Sequence, residues 1–185
     1  YKAVVTIDAT MNDASNFTRN LEPIGVQFAD TYSGIVPMTF RYRLPTNEAT
    51  FRALHKEYRG FDNLVDSLLV NTSISTAVVT ATQFTGEEFF QGGVNGYKTL
   101  MEEQLKNGLY ITTREQVTIQ DTGYAPVSST NSNANQVQIT ERVVFKNVVQ
   151  KDKDGLPLRQ SNPLDPFGII VTQVTLGRPT ADSGL

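Results

Sequence analysis

A single α+β domain is what this sequence predicts, and three observations predict it. Runs rich in β-branched residues open and close the chain, apolar residues at helical spacing fill its middle, and breaks containing Gly, Pro and Asn separate the two kinds of segment. The 185 residues, 39% apolar and 9% aromatic, suffice for one core of ordinary size. The expected architecture is an antiparallel or mixed β-sheet with two or three helices packed on one side, residues 1–185 forming one unit.

Ala3 to Ala9 (AVVTIDA) reads as the first strand, and the polar stretch Met11 to Asn20 as a loop. Pro23 to Ala29 and Ile35 to Leu44 flank a turn that contains Asp30 and Gly34. In the second of these runs Met38, Phe40, Tyr42 and Leu44 alternate with Thr39, Arg41 and Arg43, the period of a half-buried strand with a basic outer face. Pro45 ends it. Thr46 or Asn47 caps a short helix with Glu48 in its first turn and Phe51, Leu54, His55 and Tyr58 on one face, stopping near Gly60 in a left-handed C′ position.

Asp62 to Thr85 gives conflicting signals. Leu64, Val65, Leu68, Leu69 and Thr72 follow helical spacing behind Asp62 as N-cap, yet most residues from Val70 to Thr82 are β-branched, which lowers helix propensity. From Gly86 the helix is clearer: Phe90, Val94, Tyr97, Met101 and Leu105 share a face, Glu87 and Glu88 occupy the first turn, and Gly108 follows the last. Gly92, Gly93 and Gly96 weaken its middle, so either it begins near Asn95 or the glycines permit close packing. Strand chemistry returns in Leu109 to Ile119, Val137 to Val149 and Phe167 to Leu176. A polar stretch over Asp121 to Gln136 and a turn-rich one over Lys151 to Pro166, with Asp154-Gly155 as its turn, separate these runs.

Function classes narrow on residue chemistry. With no cysteine, disulfide frameworks, cysteine-zinc sites, iron–sulfur clusters and cysteine nucleophiles are excluded. A net charge of −3 and a pI near 5.2 leave no electrostatic footprint for nucleic acid. The lone His55 cannot build a histidine metal site. Gly92 to Thr99 fails as a phosphate loop because Tyr97 separates Gly96 from Lys98, and Asp152 to Gly155 lacks the closing glutamate of a calcium loop. No catalytic, cofactor-binding or metal residue is therefore expected. The chain opens at Tyr1 with no methionine or apolar leader, so it is read as an excised or processed segment. No stretch approaches the ~18 consecutive apolar residues that span a bilayer, and any membrane attachment is expected from segments outside these residues.

The order of elements and two motifs carry a family resemblance. Asp30 to Pro45, with its Tyr42-Arg43-Leu44-Pro45 step, and Gly168-Ile169-Ile170-Val171-Thr172-Gln173-Val174-Thr175-Leu176 resemble the SPFH (band 7) family of stomatins, prohibitins and flotillins. Gly108-Leu109-Tyr110-Ile111-Thr112 echoes the second motif. The resemblance implies helix across Asp62 to Thr85. It also makes this a divergent member, because typical members pass from the last helix straight into the Gly-Ile-x-Val strand, whereas a β-hairpin region of about 121–166 is inserted here. It implies a non-catalytic scaffold that self-assembles into a large ring or cage at a membrane and organises or regulates membrane proteins, among them a membrane protease. The partners expected are further copies of the chain and those membrane proteins. Contact residues expected between copies lie on the helix faces: Arg52, Arg59, Glu87, Glu88, Glu102 and Glu103. A viral or phage capsid or tail protein is the alternative, on the Thr/Asn/Ser-rich, cysteine-free composition and the long insertion.

Overall fold

The computed structural model describes residues 3–10, 19–124 and 137–182. It is an α+β fold with three sheets. Strands β1 (Val4–Ala9), β2 (Arg19–Asn20), β3 (Ile24–Gln27), β4 (Ser33–Val36) and β5 (Met38–Arg43) precede the helices. Strands β6 (Thr112–Tyr124), β7 (Val137–Val149), β8 (Ile170–Leu176) and β9 (Thr180–Ala181) follow them. A mixed sheet runs β2-β1-β5-β8, an antiparallel one β3-β4-β9, and β6-β7 stand as a pair. Of the polar loop expected over Met11 to Asn20, residues 11–18 lie outside the described residues, as do residues 125–136 between β6 and β7.

The alternation in β5 holds: Met38, Phe40 and Tyr42 are buried while Arg41 and Arg43 face out. Pro37 divides β4 from β5, and Gly177 divides β8 from β9 directly opposite, its N–H donating to the Pro37 carbonyl over 2.8 Å. Pro37 cannot donate to a ladder, and a Cβ on Gly177 would lie only 3.0 Å from that of Pro37. The two-strand ribbon therefore leaves one sheet and enters the other at that point.

Helix α1 (Glu48–Tyr58) starts at Asn47, whose side chain accepts from the Ala49 N–H over 2.8 Å. Its end differs from expectation. Arg59, not Gly60, takes the left-handed conformation (φ 59°), its N–H bonding the His55 carbonyl, while Gly60 is extended and caps the next helix. Asp62, expected as that cap, instead sits in the first turn.

Helix α2 (Phe61–Ala81) runs without a break, widening to a π turn over Val65–Val70. Tertiary packing overrides the β-branched composition here, because Leu64, Val65, Leu68 and Leu69 all enter the core. The hydroxyls are satisfied within the helix: Ser73 donates to the Leu69 carbonyl and Thr80 to that of Thr76, each over 2.6 Å. By length and a mean hydropathy of 1.4, α2 is the one described helix that would suit a bilayer; here it packs in the core against α4 and β3.

Helix α3 (Gly86–Glu88) opens with a capping box between Thr85 and Glu88 and continues through a π turn, Phe89–Gly93, into α4 (Val94–Asn107). The chain kinks at Gln91 and Gly92 (φ 123°), and a Cβ on Gly93 would lie 2.5 Å from the Glu88 carbonyl oxygen. Both readings of the glycines thus hold. The kink shifts the helical register, so Phe89 fills the core in place of the expected Phe90, which stays 38% exposed; Tyr97, Met101 and Leu105 are buried as expected.

Two further boundaries move. The paired hairpin starts at Thr112 and ends at Val149, so the inserted hairpin region expected over 121–166 begins earlier, and residues 151–166 form a strap that returns along α4. The strand expected over Leu109 to Ile119 is present but shifted, running from Thr112 to Tyr124. Phe167 lies in a short 3-10 turn, and β8 begins only at Ile170.

One apolar cluster joins the main sheet, α1, α2 and α4. Tyr42 from β5 shares a hydrogen bond with Ser73 of α2, and the Tyr97 hydroxyl donates to the Ala77 carbonyl over 2.8 Å. Burial pushes both phenols well above their ordinary ionisation range.

Candidate functional site

Among the described residues no three His, Cys, Asp or Glu side chains come together as a metal site. His55 lies on the exposed side of α1, and Gly92 to Thr99 bends through the kink into α4 with no strand before it. The surfaces that remain are those that fit contact with other molecules.

The β6–β7 hairpin is an arm of 13 antiparallel residue pairs, about 40 Å long at the usual rise per residue. One face turns to the body. Val144 is buried on it, Lys146 reaches Glu88 at 2.8 Å and Arg142 reaches Glu87 at 3.0 Å. Asn147 ties the base down by giving its side-chain amide to the Thr82 hydroxyl over 2.7 Å. The opposite face carries Glu141, Val143 and Phe145 beside Gln120, Thr118 and Gln116; Val143 and Phe145 are about half exposed, and Phe145 with Arg114 and Asn147 borders a cleft against Phe28, Thr31 and Val78 of the body.

Behind the arm the strap is pinned to α4. Arg159 pairs with Glu103, donates to the Gly108 carbonyl over 3.1 Å, and lies 4.3 Å from the Tyr110 ring centre. Buried Gln104 accepts from the Tyr110 N–H over 3.0 Å and from Gln83 over 3.2 Å, and donates to Thr80 over 3.0 Å. Asn162 closes the end of α4 by donating to the Leu105 and Lys106 carbonyls. From the strap projects a compact turn: Asp152 Oδ1 accepts from the N–H groups of Asp154 and Leu156, and Gly155 adopts φ 80°. At its end Leu156 and Leu158 stand 62% and 37% exposed.

A groove of ≈ 520 Å³ opens between α1 and the start of α2, lined by Leu44, Phe51, Leu54, His55, Phe61 and Leu64. Phe51 and Phe61 are more than a third exposed. Contiguous exposed apolar surface of this kind marks interaction sites.

The six contact residues expected from sequence divide by environment. Arg52 pairs with Glu48 and Glu102 with Lys106, each one helical turn apart on the surface. Glu87, Glu88 and Glu103 hold the arm and the strap to the rest of the chain. Arg59, at the mouth of the groove, makes no ion pair among the described residues. Sequence reading missed the groove, because only the crossing of α1 and α2 creates it, and missed Leu156 and Leu158. Their signal was present in two leucines next to an Asp-Gly turn.

Burial works against ionisation of Glu88 and Glu103, yet hydrogen bonds outweigh it and hold both carboxyls below the ordinary range. The donors are Lys146 and Thr85 at Glu88, and chiefly Arg159 at Glu103. Since each folded-state pKa lies below the unfolded one, this stabilisation is complete above the unfolded value and is lost as pH falls through the folded one. Melting temperature is therefore expected to drop from about pH 5 to about pH 3, and to drop less in the double variant Glu88→Gln, Glu103→Gln. Equal slopes in the two proteins would show that these pairs are not formed.

No protein-family model, no curated protein and no solved structure matches this chain.

Proposed function

We propose that the chain is a non-catalytic scaffold subunit that packs beside copies of itself in a large ring- or cage-like assembly at a membrane, where it organises or regulates membrane proteins. The observation that carries this reading is the β6–β7 arm. A two-stranded hairpin is marginal by itself and holds when a further surface covers it. Here Arg142, Lys146 and Asn147 fix the base of the arm to the body, and Val143 stays 55% exposed, open to a neighbour. The helical course of Phe61–Ala81 accords with the SPFH resemblance, which an extended chain there would have removed. Heterologous contacts between such subunits close into rings when the rotation permits.

The full-length protein, extracted from its membrane and weighed by mass photometry, is expected to run as a very large assembly that higher detergent disperses. A uniform monomer in mild detergent would refute the reading. The viral structural alternative keeps its basis in the small polar residues of Asp121 to Gln136, and finding the chain within purified virions would establish it instead.

A further inference from the structure

We infer that the cleft between α2, the end of α4 and the strap binds a neutral sugar ring. The inference goes beyond the scaffold reading, which calls for no ligand. At ≈ 370 Å³ the cleft falls within the ~300–1,000 Å³ of small-molecule sites. None of its lining residues belongs to a strand, so it offers no ladder to an extended peptide.

A buried amide with one hydrogen unspent lines this cleft. Gln104 is 1% exposed, and its oxygen accepts from the Gln83 side chain over 3.2 Å and from the Tyr110 N–H over 3.0 Å. A backbone nitrogen only donates, so the Tyr110 bond fixes which end of the amide is oxygen. The nitrogen at the other end carries two hydrogens. One goes to the Thr80 hydroxyl over 3.0 Å, and the second has no acceptor among the described residues. A buried donor without an acceptor is costly, and an oxygen of a ligand seated in the cleft removes that cost. The walls stand in place beforehand, because buried Asn162 clamps the strap to the Leu105 and Lys106 carbonyls at the end of α4.

The rest of the lining selects the ligand's chemistry. The hydroxyls of Thr72 and Ser75 on α2 and of Ser161 on the strap form no hydrogen bond among the described residues, so each is free to donate and to accept. Leu105, Leu109 and Pro163 add apolar surface between them. A sugar ring calls for that combination, since it carries hydroxyls around its edge and C–H groups on its faces. No lining residue is charged, and Arg159 and Lys106, next to the cleft in sequence, are paired with Glu103 and Glu102. A charged ligand would give up water there without gaining a counter-charge, which restricts the site to neutral ones.

Saturation-transfer NMR on the full-length protein tests this with D-glucose, D-galactose, D-mannose and N-acetyl-D-glucosamine as probes. Transfer to at least one of the four is expected, with D-glucuronate binding at least about tenfold more weakly than the best of them. Ser75→Trp fills the mouth from an exposed position and should abolish the transfer at unchanged melting temperature. Lys98→Ala, which borders a different cleft on α4, should leave it intact. Gln104→Leu removes the unspent donor and should weaken binding roughly tenfold or more; if that variant fails to fold, Ser75→Trp decides alone. No transfer to any of the four sugars, transfer that survives Ser75→Trp, equal loss in Lys98→Ala, or glucuronate binding as tightly as the neutral sugars overturns the inference. The scaffold reading stands in each case, because assembled size is measured separately.

Discussion

Replacing Phe89 by alanine is expected to lower the free energy of unfolding by about 3–5 kcal/mol, a large part of the ~5–15 kcal/mol that holds a domain folded. The ring has no exposed surface and meets Phe28 at 4.8 Å, Phe90 at 5.1 Å and Tyr97 at 5.2 Å between centroids, the last two edge to face. Truncation removes the transfer free energy of the ring and those edge contacts, and leaves a cavity that the kinked backbone cannot collapse into. Gly93 is already packed against the Glu88 carbonyl, and the capping box at Thr85 fixes the entry of α3. The urea midpoint should fall with the slope unchanged. Phe90→Ala is the control: its ring is partly exposed, and its loss should be well under half as large. Equal losses at the two positions would mean that the register shift at Gly92 is absent.

Gly108→Ala is expected to cost about 2–6 kcal/mol, for two reasons that act together. At φ 103° the backbone lies where side chains are strained by about 1–3 kcal/mol, and a Cβ would stand 2.4 Å from the Gln160 carbonyl oxygen. That neighbour is backbone, and it cannot retreat cheaply. The strap is held to this corner by the Gln160 N–H on the Leu109 carbonyl, by Arg159 on the Gly108 carbonyl, and by Asn162 on the end of α4. Relieving the clash breaks these bonds and loosens the root of the arm. Hydrogen exchange should accordingly show the amides of Ile111, Leu158 and Gln160 opening before those of β5. Gly155→Ala separates the two causes, since Gly155 has φ 80° but nothing within 4 Å of an added Cβ. Its cost is expected at about 1 kcal/mol, from backbone strain alone. If both glycines cost the same, the contact with Gln160 contributes nothing.

The proposed scaffold function gives these same two places a second bearing, on contact between copies. Phe89 sits in the segment whose Glu87 and Glu88 grip the arm, and Gly108 in the corner from which arm and strap turn depart. A variant there that lowers stability while assembled size persists at low temperature would separate folding of the subunit from contact between copies.

Much of the fold was legible in the residues themselves. Period-two alternation in Met38 to Leu44 placed one face of β5 in the core, and Asn47 with Glu48 marked the start of α1, because both signals are local. Tyr97, Met101 and Leu105 were placed correctly for the same reason. The middle segment was not legible. Val70 to Thr82 has strand-like composition, and helix prevails there because Leu64, Val65, Leu68 and Leu69 bury against a sheet assembled from distant parts of the chain.

The candidate site was less legible still. Glu87, Glu88 and Glu103 stood out as charges on helix faces, but their partners Arg142, Lys146 and Arg159 lie more than 50 residues away in sequence, and no local rule brings them together. By itself the sequence determined the α+β class, the strands that flank the helical middle, and the apolar faces of β5 and of the end of α4, since propensity and periodicity act within a few residues. Only the tertiary structure decided that Phe89 rather than Phe90 fills the core, that the arm runs from Thr112 to Val149, and that α1 and α2 enclose a groove. Each of those depends on where one element lands against another, and that is settled by packing over long separations along the chain.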